Sequence, residues 1–183
     1  PNPVFEKPIA VLLGIKGSEF DELVSGKGGT SKKSGFQIIE ERLRAINVPK
    51  ELKATEEQLK TAKKEDLNKL YKKARYLRSL RELNISPVNA YTNRYLPVLP
   101  PNLRPISIGY DGSQIIAPAN QLYAIVGQLT QQLDRGKKEG LPRQDIRKRE
   151  ADLYEAVKAL RVTGMNLKGK EYPSLMDKIK GTK

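Results

Sequence analysis

The chain has 183 residues, enough for one ordinary domain or two small ones, and with 38% hydrophobic and 30% charged residues it can build only a thin core. A formal net charge of +13 directs attention to polyanion partners, nucleic acid before an anionic membrane. The absence of Cys and His excludes disulfides, thiolate nucleophiles and Cys-based zinc sites, and removes the commonest general base and transition-metal ligand. Such a composition predicts an elongated, helix-rich chain, or one whose apolar faces are completed by a partner. No apolar run approaches transmembrane length, and residues 9–15, preceded by Glu6 and Lys7, make a poor signal peptide. The lack of Cys is compatible with a cytoplasmic setting. The chain opens at Pro1 and stops in the basic run KIKGTK, so both ends read as cut points.

Residues 1–24 carry two apolar clusters broken by Gly14 and Gly17, which fits short helices. Residues 25–35 (SGKGGTSKKSG) read as a loop; the glycines and lysines do not match a phosphate-binding Walker pattern. Residues 34–46 predict a helix with Phe36, Ile39, Leu43 and Ile46 on one face, ended by Pro49. A second, strongly charged helix is predicted over 65–83, with Leu67, Leu70, Tyr71, Ala74, Leu77 and Leu80 as its apolar stripe. Asn84 and Pro87 end it, and an irregular stretch follows.

Residues 95–105 (YLPVLPPNLRP) hold four prolines, each fixing φ and pushing its predecessor toward extended geometry. The interleaved Leu96, Val98, Leu99 and Leu103 predict a stiff, partly buried strap rather than a solvated linker. Ile106, Ile108 and Tyr110 then alternate with Ser107 and Gly109, Asp111-Gly112 turns the chain, and Ile115 and Ile116 suggest the returning arm of a small β-hairpin. Next, Leu122, Val126, Leu129 and Leu133 step by 4, 3 and 4 residues, the seam of a coiled coil. After a turn-prone stretch over 134–142, Ile146, Glu150, Leu153, Val157 and Leu160 resume the stepping, so the two arms form an antiparallel helical hairpin, each arm about 20 Å long. Past Gly164 the pattern dissolves into a basic loop, and a short amphipathic turn over 175–179 closes the chain.

This order of features resembles the N-terminal clamp region of the largest (β′) subunit of multisubunit DNA-directed RNA polymerases. The family's strap, V-L-P-V-x-P-P-x-L-R-P, is matched almost residue for residue by residues 96–105. Its D-G-G turn is similar to Asp111-Gly112-Ser113, and its L-N-D-L-Y helix start to Ala119-Asn120-Gln121-Leu122-Tyr123. Its L-x-E-A-V-D-A-L stretch resembles residues 153–160, and its P-L-K-S-L-x-D-M-x-K-G-K run resembles residues 172–182. Upstream, residues 35–47 are similar to its G-A-E-A-I helix and residues 67–83 to the basic helix before the strap.

The resemblance implies a mainly α fold with a few short β-strands: a clamp body over 1–105, a lid-like loop over 106–118, clamp helices over 119–162, and a rudder-like loop leading into a switch over 163–183. It assigns nucleic-acid contacts of the lid, rudder and switch to Tyr110, Gln114, Lys168, Lys170, Tyr172, Lys178, Lys180 and Lys183. It assigns docking of a sigma-like or phage-specific initiation factor to Gln128, Gln131, Gln132, Arg135, Arg143, Arg147 and Glu150. Residues 124–132 carry no charge where the family is rich in Arg, which points to a divergent, phage- or virus-encoded polymerase with its own initiation partner. The remaining partners implied are the other polymerase subunits, the DNA template and nascent RNA, with no membrane, in the cytoplasm of a bacterial or phage-infected cell.

The family's catalytic Mg2+ is held by an N-A-D-F-D-G-D motif that does not occur here. Neither catalytic nor metal-binding residues are therefore expected in this segment, which would be part of a nucleotidyltransferase without carrying its chemistry. The rival reading is a freestanding basic helical nucleic-acid-binding or coiled-coil adaptor, which explains the charge but not the order of the strap and its neighbours.

Overall fold

A computed structural model describes residues 1–30, 32–167 and 169–180, and the chain divides into two units, Pro1–Arg94 and Tyr95–Lys183. The first is all helix: α1 (Glu6–Leu13), α2 (Gly17–Val24), α3 (Gly35–Ala45), α4 (Val48–Thr61), α5 (Lys64–Glu82) and α6 (Pro87–Tyr91). α3 starts where the sequence places it because Ser34 and Gln37 close a reciprocal capping box. Its face is the expected one, with Ile39 and Leu43 fully buried and Phe36 and Ile46 half-buried.

Pro49 does not end α3. The helix has already stopped at Ile46, and the Asn47 side chain accepts the Lys50 amide at 3.1 Å to cap α4, a helix that the sequence reading passed over. Pro49 sits in the first turn of that helix, where a missing N–H leaves nothing unsatisfied. α4 packs on α5, and Leu52 of α4 and Ala74, Leu77 and Leu80 of α5 are buried. Tyr71 departs from the predicted stripe and is 60% exposed. The stretch taken as irregular contains α6, capped by Ser86. Its Tyr91 packs edge-on against Phe5 at 5.5 Å, and burial raises the phenol's pKa.

Two neighbouring helices meet closely at Gly35. A Cβ built there would fall 1.9 Å from the Leu23 carbonyl oxygen, so only glycine lets α3 start beside the end of α2. Gly35→Ala is expected to lower stability by at least about 2 kcal/mol in urea titrations. Gly17→Ala, where nothing lies within 4 Å, should stay within about 0.5 kcal/mol of wild type.

In the second unit, β1 (Ile106–Ile108) and β2 (Gln114–Ile116) pair antiparallel, with Ile106 opposite Ile116 and Ile108 opposite Gln114. α7 (Pro118–Lys138) and α8 (Arg143–Lys158) follow, then a π-helical turn (Ala159–Thr163), the antiparallel pair β3 (Met165–Leu167) and β4 (Lys170–Tyr172), and α9 (Leu175–Lys180). The chain is thus mainly α with two short strand pairs, as expected.

Three details differ from the expectation. α7 runs through the segment read as a turn: its 21 residues make it about 31 Å long, and only residues 139–142 connect it to α8. Gly136 is buried inside it because α8 comes close; a Cβ would lie 2.9 Å from Leu141 Cδ1 and 3.2 Å from Arg149 Nη1. Second, α8 is covered over a broad face rather than along one seam. Ala151, Tyr154 and Ala156 are buried, while Ile146, Leu153 and Val157 are half-buried. Small residues let the helices approach, and the other elements cover the rest. Third, the segment after Gly164 is a β-hairpin and not a loop, because Met165 and Tyr172 pair across its strands and both pack inward.

The core of this unit lies at the base of the helical hairpin. Leu122, Val126, Ala156 and Leu160 are buried there, and Leu96 of the strap, Met165, Tyr172 and Leu175 close over them. Ser174, fully buried, caps α9 by exchanging hydrogen bonds with Asp177.

Candidate nucleic-acid interface

The strap is pinned to the start of α7 by three side chains. Arg104 reaches back to donate to the Leu99 carbonyl at 2.7 Å and across to Asn120 Oδ1 at 2.9 Å. Asn120 returns a bond from Nδ2 to the Arg104 carbonyl at 2.8 Å. The Tyr123 hydroxyl accepts the Leu99 amide at 3.1 Å and donates to the Pro97 carbonyl at 3.2 Å. The Arg104 guanidinium also stands 5.9 Å from the Tyr123 ring centre. These bonds satisfy strap carbonyls and an amide that the prolines leave without a regular ladder.

The strap was expected to be partly buried through all four of its apolar residues. Only Leu96 and Leu99 are half-buried, whereas Val98 and Leu103 are exposed, because the pinning is polar and faces α7. Arg104 and Asn120 were read only as family matches. Their reciprocal contact across sixteen residues left no pattern in the sequence.

From this pinned base the β1–β2 hairpin presents Tyr110, fully exposed, with Ile106, Ile108, Gln114 and Ile115 exposed behind it. Its turn is held by Asp111, whose Oδ1 accepts the Ser113 hydroxyl at 2.6 Å and amide at 3.0 Å. These bonds, the hydroxyl's first, hold the Asp111 carboxyl below its ordinary pKa. Because the folded value is depressed, the turn's contribution is full above the ordinary carboxylate pKa and is lost as pH falls through the lower folded value.

On the β3–β4 hairpin Lys170 is exposed, with Nζ 5.9 Å from the ring centre of Tyr172. Tyr172 was expected among the nucleic-acid contacts. It is half-buried against the core cluster, so Tyr110 is the freely exposed ring of this unit's predicted contacts. Lys178 and Lys180 fall on α9 with side chains outside the described residues, and Lys168 and Lys183 lie outside them altogether.

The helical hairpin brings five of the seven predicted docking residues to exposed positions; Arg147 is half-buried and Glu150 is not on the outer face. Gln128, Gln131, Gln132 and Arg135 are exposed within two turns of α7. On α8 Arg143 is exposed and Arg147 half-buried. Arg135 bonds Glu139 at 2.7 Å, and Arg149 donates to the Gln132 carbonyl. Glu150 turns inward, with a side chain only 19% exposed and Oε1 3.4 Å from Lys137 Nζ, so it braces the two arms.

Among the described residues no cluster of three or more His, Cys, Asp or Glu could hold a metal ion, and no helix is long and apolar enough to cross a membrane.

The strap, the β1–β2 hairpin and the antiparallel helices follow one another in the order on which the resemblance was read. No family model matches the chain. In sequence it is similar to the β′ subunits of DNA-directed RNA polymerase. It is 32% identical over 136 residues to that of Streptococcus suis, 74% of this chain and 11% of the relative. It is 35% identical over 128 residues to that of Mesoplasma florum, 69% of this chain and 10% of the relative. It is 31% identical over 157 residues to that of Mycoplasma mycoides, 84% of this chain and 12% of the relative. The chain therefore spans about a tenth of the length of these relatives. The resemblance read from the strap is borne out: this is a β′-like segment of the RNA polymerase family.

Two outcomes test the geometry of the site. Tyr123→Phe removes both strap bonds, and should cost about 1–2 kcal/mol and speed hydrogen exchange at the Leu99 amide. In an NMR titration the Asp111 carboxyl should ionise below its ordinary pKa, and Ser113→Ala should move it back up toward that value.

Proposed function

We propose that the segment is the clamp piece of the largest subunit of a DNA-directed RNA polymerase, holding DNA and the RNA–DNA hybrid and offering its helical hairpin to an initiation factor. The observation that carries this reading is the pinning of the strap and β1–β2 to α7 by Arg104, Asn120 and Tyr123. A loop that parts RNA from its template must push against strands without yielding, and a hairpin anchored at its base to a long helix is suited to that work. Tyr110 at its tip offers a stacking surface to an unpaired base. Residues 107–117 then act as the lid, and residues 163–173 as the rudder beside the hybrid, with Lys168 and Lys170 as the cations for its phosphates.

In this reading the helical hairpin, residues 120–160, is a lever whose exposed glutamine and arginine face recruits the initiation partner. The uncharged stretch 124–132 favours a partner that reads amides over one that reads arginines. The other polymerase subunits, the template and the nascent RNA are the remaining partners. The enzyme's Mg2+ and its carboxylates belong to chain outside this segment, whose own residues bind and orient nucleic acid.

The test is binding of the 183-residue chain to an RNA–DNA hybrid across a salt series. Affinity should fall steeply with salt, and Lys168→Ala with Lys170→Ala should lower the log–log slope by about 2. Tyr110→Ala should weaken binding to a hybrid with an unpaired strand by about 1–3 kcal/mol and leave the slope unchanged. Salt-independent binding contradicts the proposal.

A further inference from the structure

Asp111 is the one Asp or Asn in the sequence that glycine follows, and the pair stands exposed in the turn of the β1–β2 hairpin. Such a pair carries a reaction of its own. The backbone nitrogen of the glycine can attack the Asp carboxyl carbon: a C–N bond forms, a C–O bond breaks, and water leaves with the amide proton. The succinimide ring that results takes up one water and opens on either side, to aspartate or to isoaspartate. Glycine favours this because no side chain stands over the attacking nitrogen, and nothing lies within 4 Å of the Cβ position of Gly112.

The folded turn opposes each part of that reaction. The attacking nitrogen is held, since the Gly112 amide donates to the Gly109 carbonyl at 3.0 Å. The Gly109 amide donates in turn to the Ser113 carbonyl at 2.7 Å, and Gly112 is left-handed at φ 78°, so the backbone of the turn is closed. The carboxyl is held as well: Oδ1 accepts the Ser113 hydroxyl at 2.6 Å and the Ser113 amide at 3.0 Å. These donors favour the ionised carboxylate, whose oxygen leaves less readily than the hydroxyl of a neutral acid. Gly109 makes room for the arrangement, because a Cβ there would fall 2.8 Å from Asp111 Oδ1 and 3.0 Å from Ser113 Oγ.

We propose that Asp111–Gly112 is a latent site of isoaspartate formation, kept closed by Ser113 and by the Gly109–Gly112 bond while the hairpin stays folded. When the turn opens, both restraints are lost together and the ring can close. Isoaspartate routes the main chain through the side-chain carbon, so the turn gains a backbone atom and the pairing of Gly109 with Ser113 is broken. The modified residue carries a free α-carboxylate, which makes the chain a substrate for an isoaspartyl-specific carboxyl methyltransferase. This chemistry is independent of what the hairpin binds.

The experiment follows isoaspartate in the full chain at neutral pH, by methyl transfer from S-adenosylmethionine with such a methyltransferase and by peptide mapping across residue 111. Ser113→Ala should accumulate it about tenfold faster than wild type, the factor given by a barrier lower by one hydrogen bond. Ser113→Thr keeps the hydroxyl and should stay near the wild-type rate. Wild type in urea should react at least as fast as folded Ser113→Ala. Equal rates in Ser113→Ala and wild type overturn the proposal, as does a wild type that reacts equally fast folded and in urea. Equal acceleration in Ser113→Thr and Ser113→Ala would show that the hydroxyl is not the restraint, and would overturn it too.

Discussion

Arg104 decides how the second unit is organised. A strap with four prolines cannot hold itself in place through a backbone ladder, since the ring nitrogens donate nothing. Its position must come from side chains, and Arg104 supplies a planar fork that meets one carbonyl of the strap and the amide oxygen of Asn120 together. Asn120 answers through its other amide group, so each partner fixes the other's orientation. Everything that the strap leads into inherits that fixed starting point. The Ala117 amide bonds the Pro105 carbonyl at 3.2 Å, so the β1–β2 hairpin begins and ends on the same anchor.

The apolar core does a different job from this polar anchor. α7, α8, the π-helical turn, the strap, the β3–β4 hairpin and α9 meet at the base of the helical hairpin, and their shared burial around Leu122, Val126, Ala156 and Leu160 makes it a junction. Away from the base the two arms are held by small residues, by Gly136 and by the Arg149 contact with the Gln132 carbonyl. Apolar surface is thus concentrated where elements converge, while residues 124–132 of α7 carry no charge and its last turn is basic. A chain with so little hydrophobic composition can sustain one such junction per unit.

Much of this was legible from residue pattern because local chemistry dictated it. Ser34 and Gln37 announce a capping box, the leucines of α5 and α7 keep helical phase, and Asp111-Gly112 marks a turn. The misreadings have physical reasons. Pro49 is as much a first-turn residue as a terminator, and only Asn47 two residues earlier decides which. Gly136 looks like a breaker until a neighbouring helix needs its missing side chain. Lys170 and Tyr172 alternate over too short a span to declare a strand, so the β3–β4 hairpin read as a loop. The pairing of Lys73 with Glu51 and of Arg78 with Glu56 could not be read without knowing where α4 lies beside α5.

The account stands on the claim that the hairpin bearing Tyr110 is held rigidly to α7 through Arg104 and Asn120. Backbone order parameters for the β1–β2 amides in wild type and Asn120→Ala test this most directly. The account expects about 0.85 in wild type and a fall below about 0.6 in the variant, with α7 and α8 unchanged. A hairpin equally mobile in both proteins would contradict it.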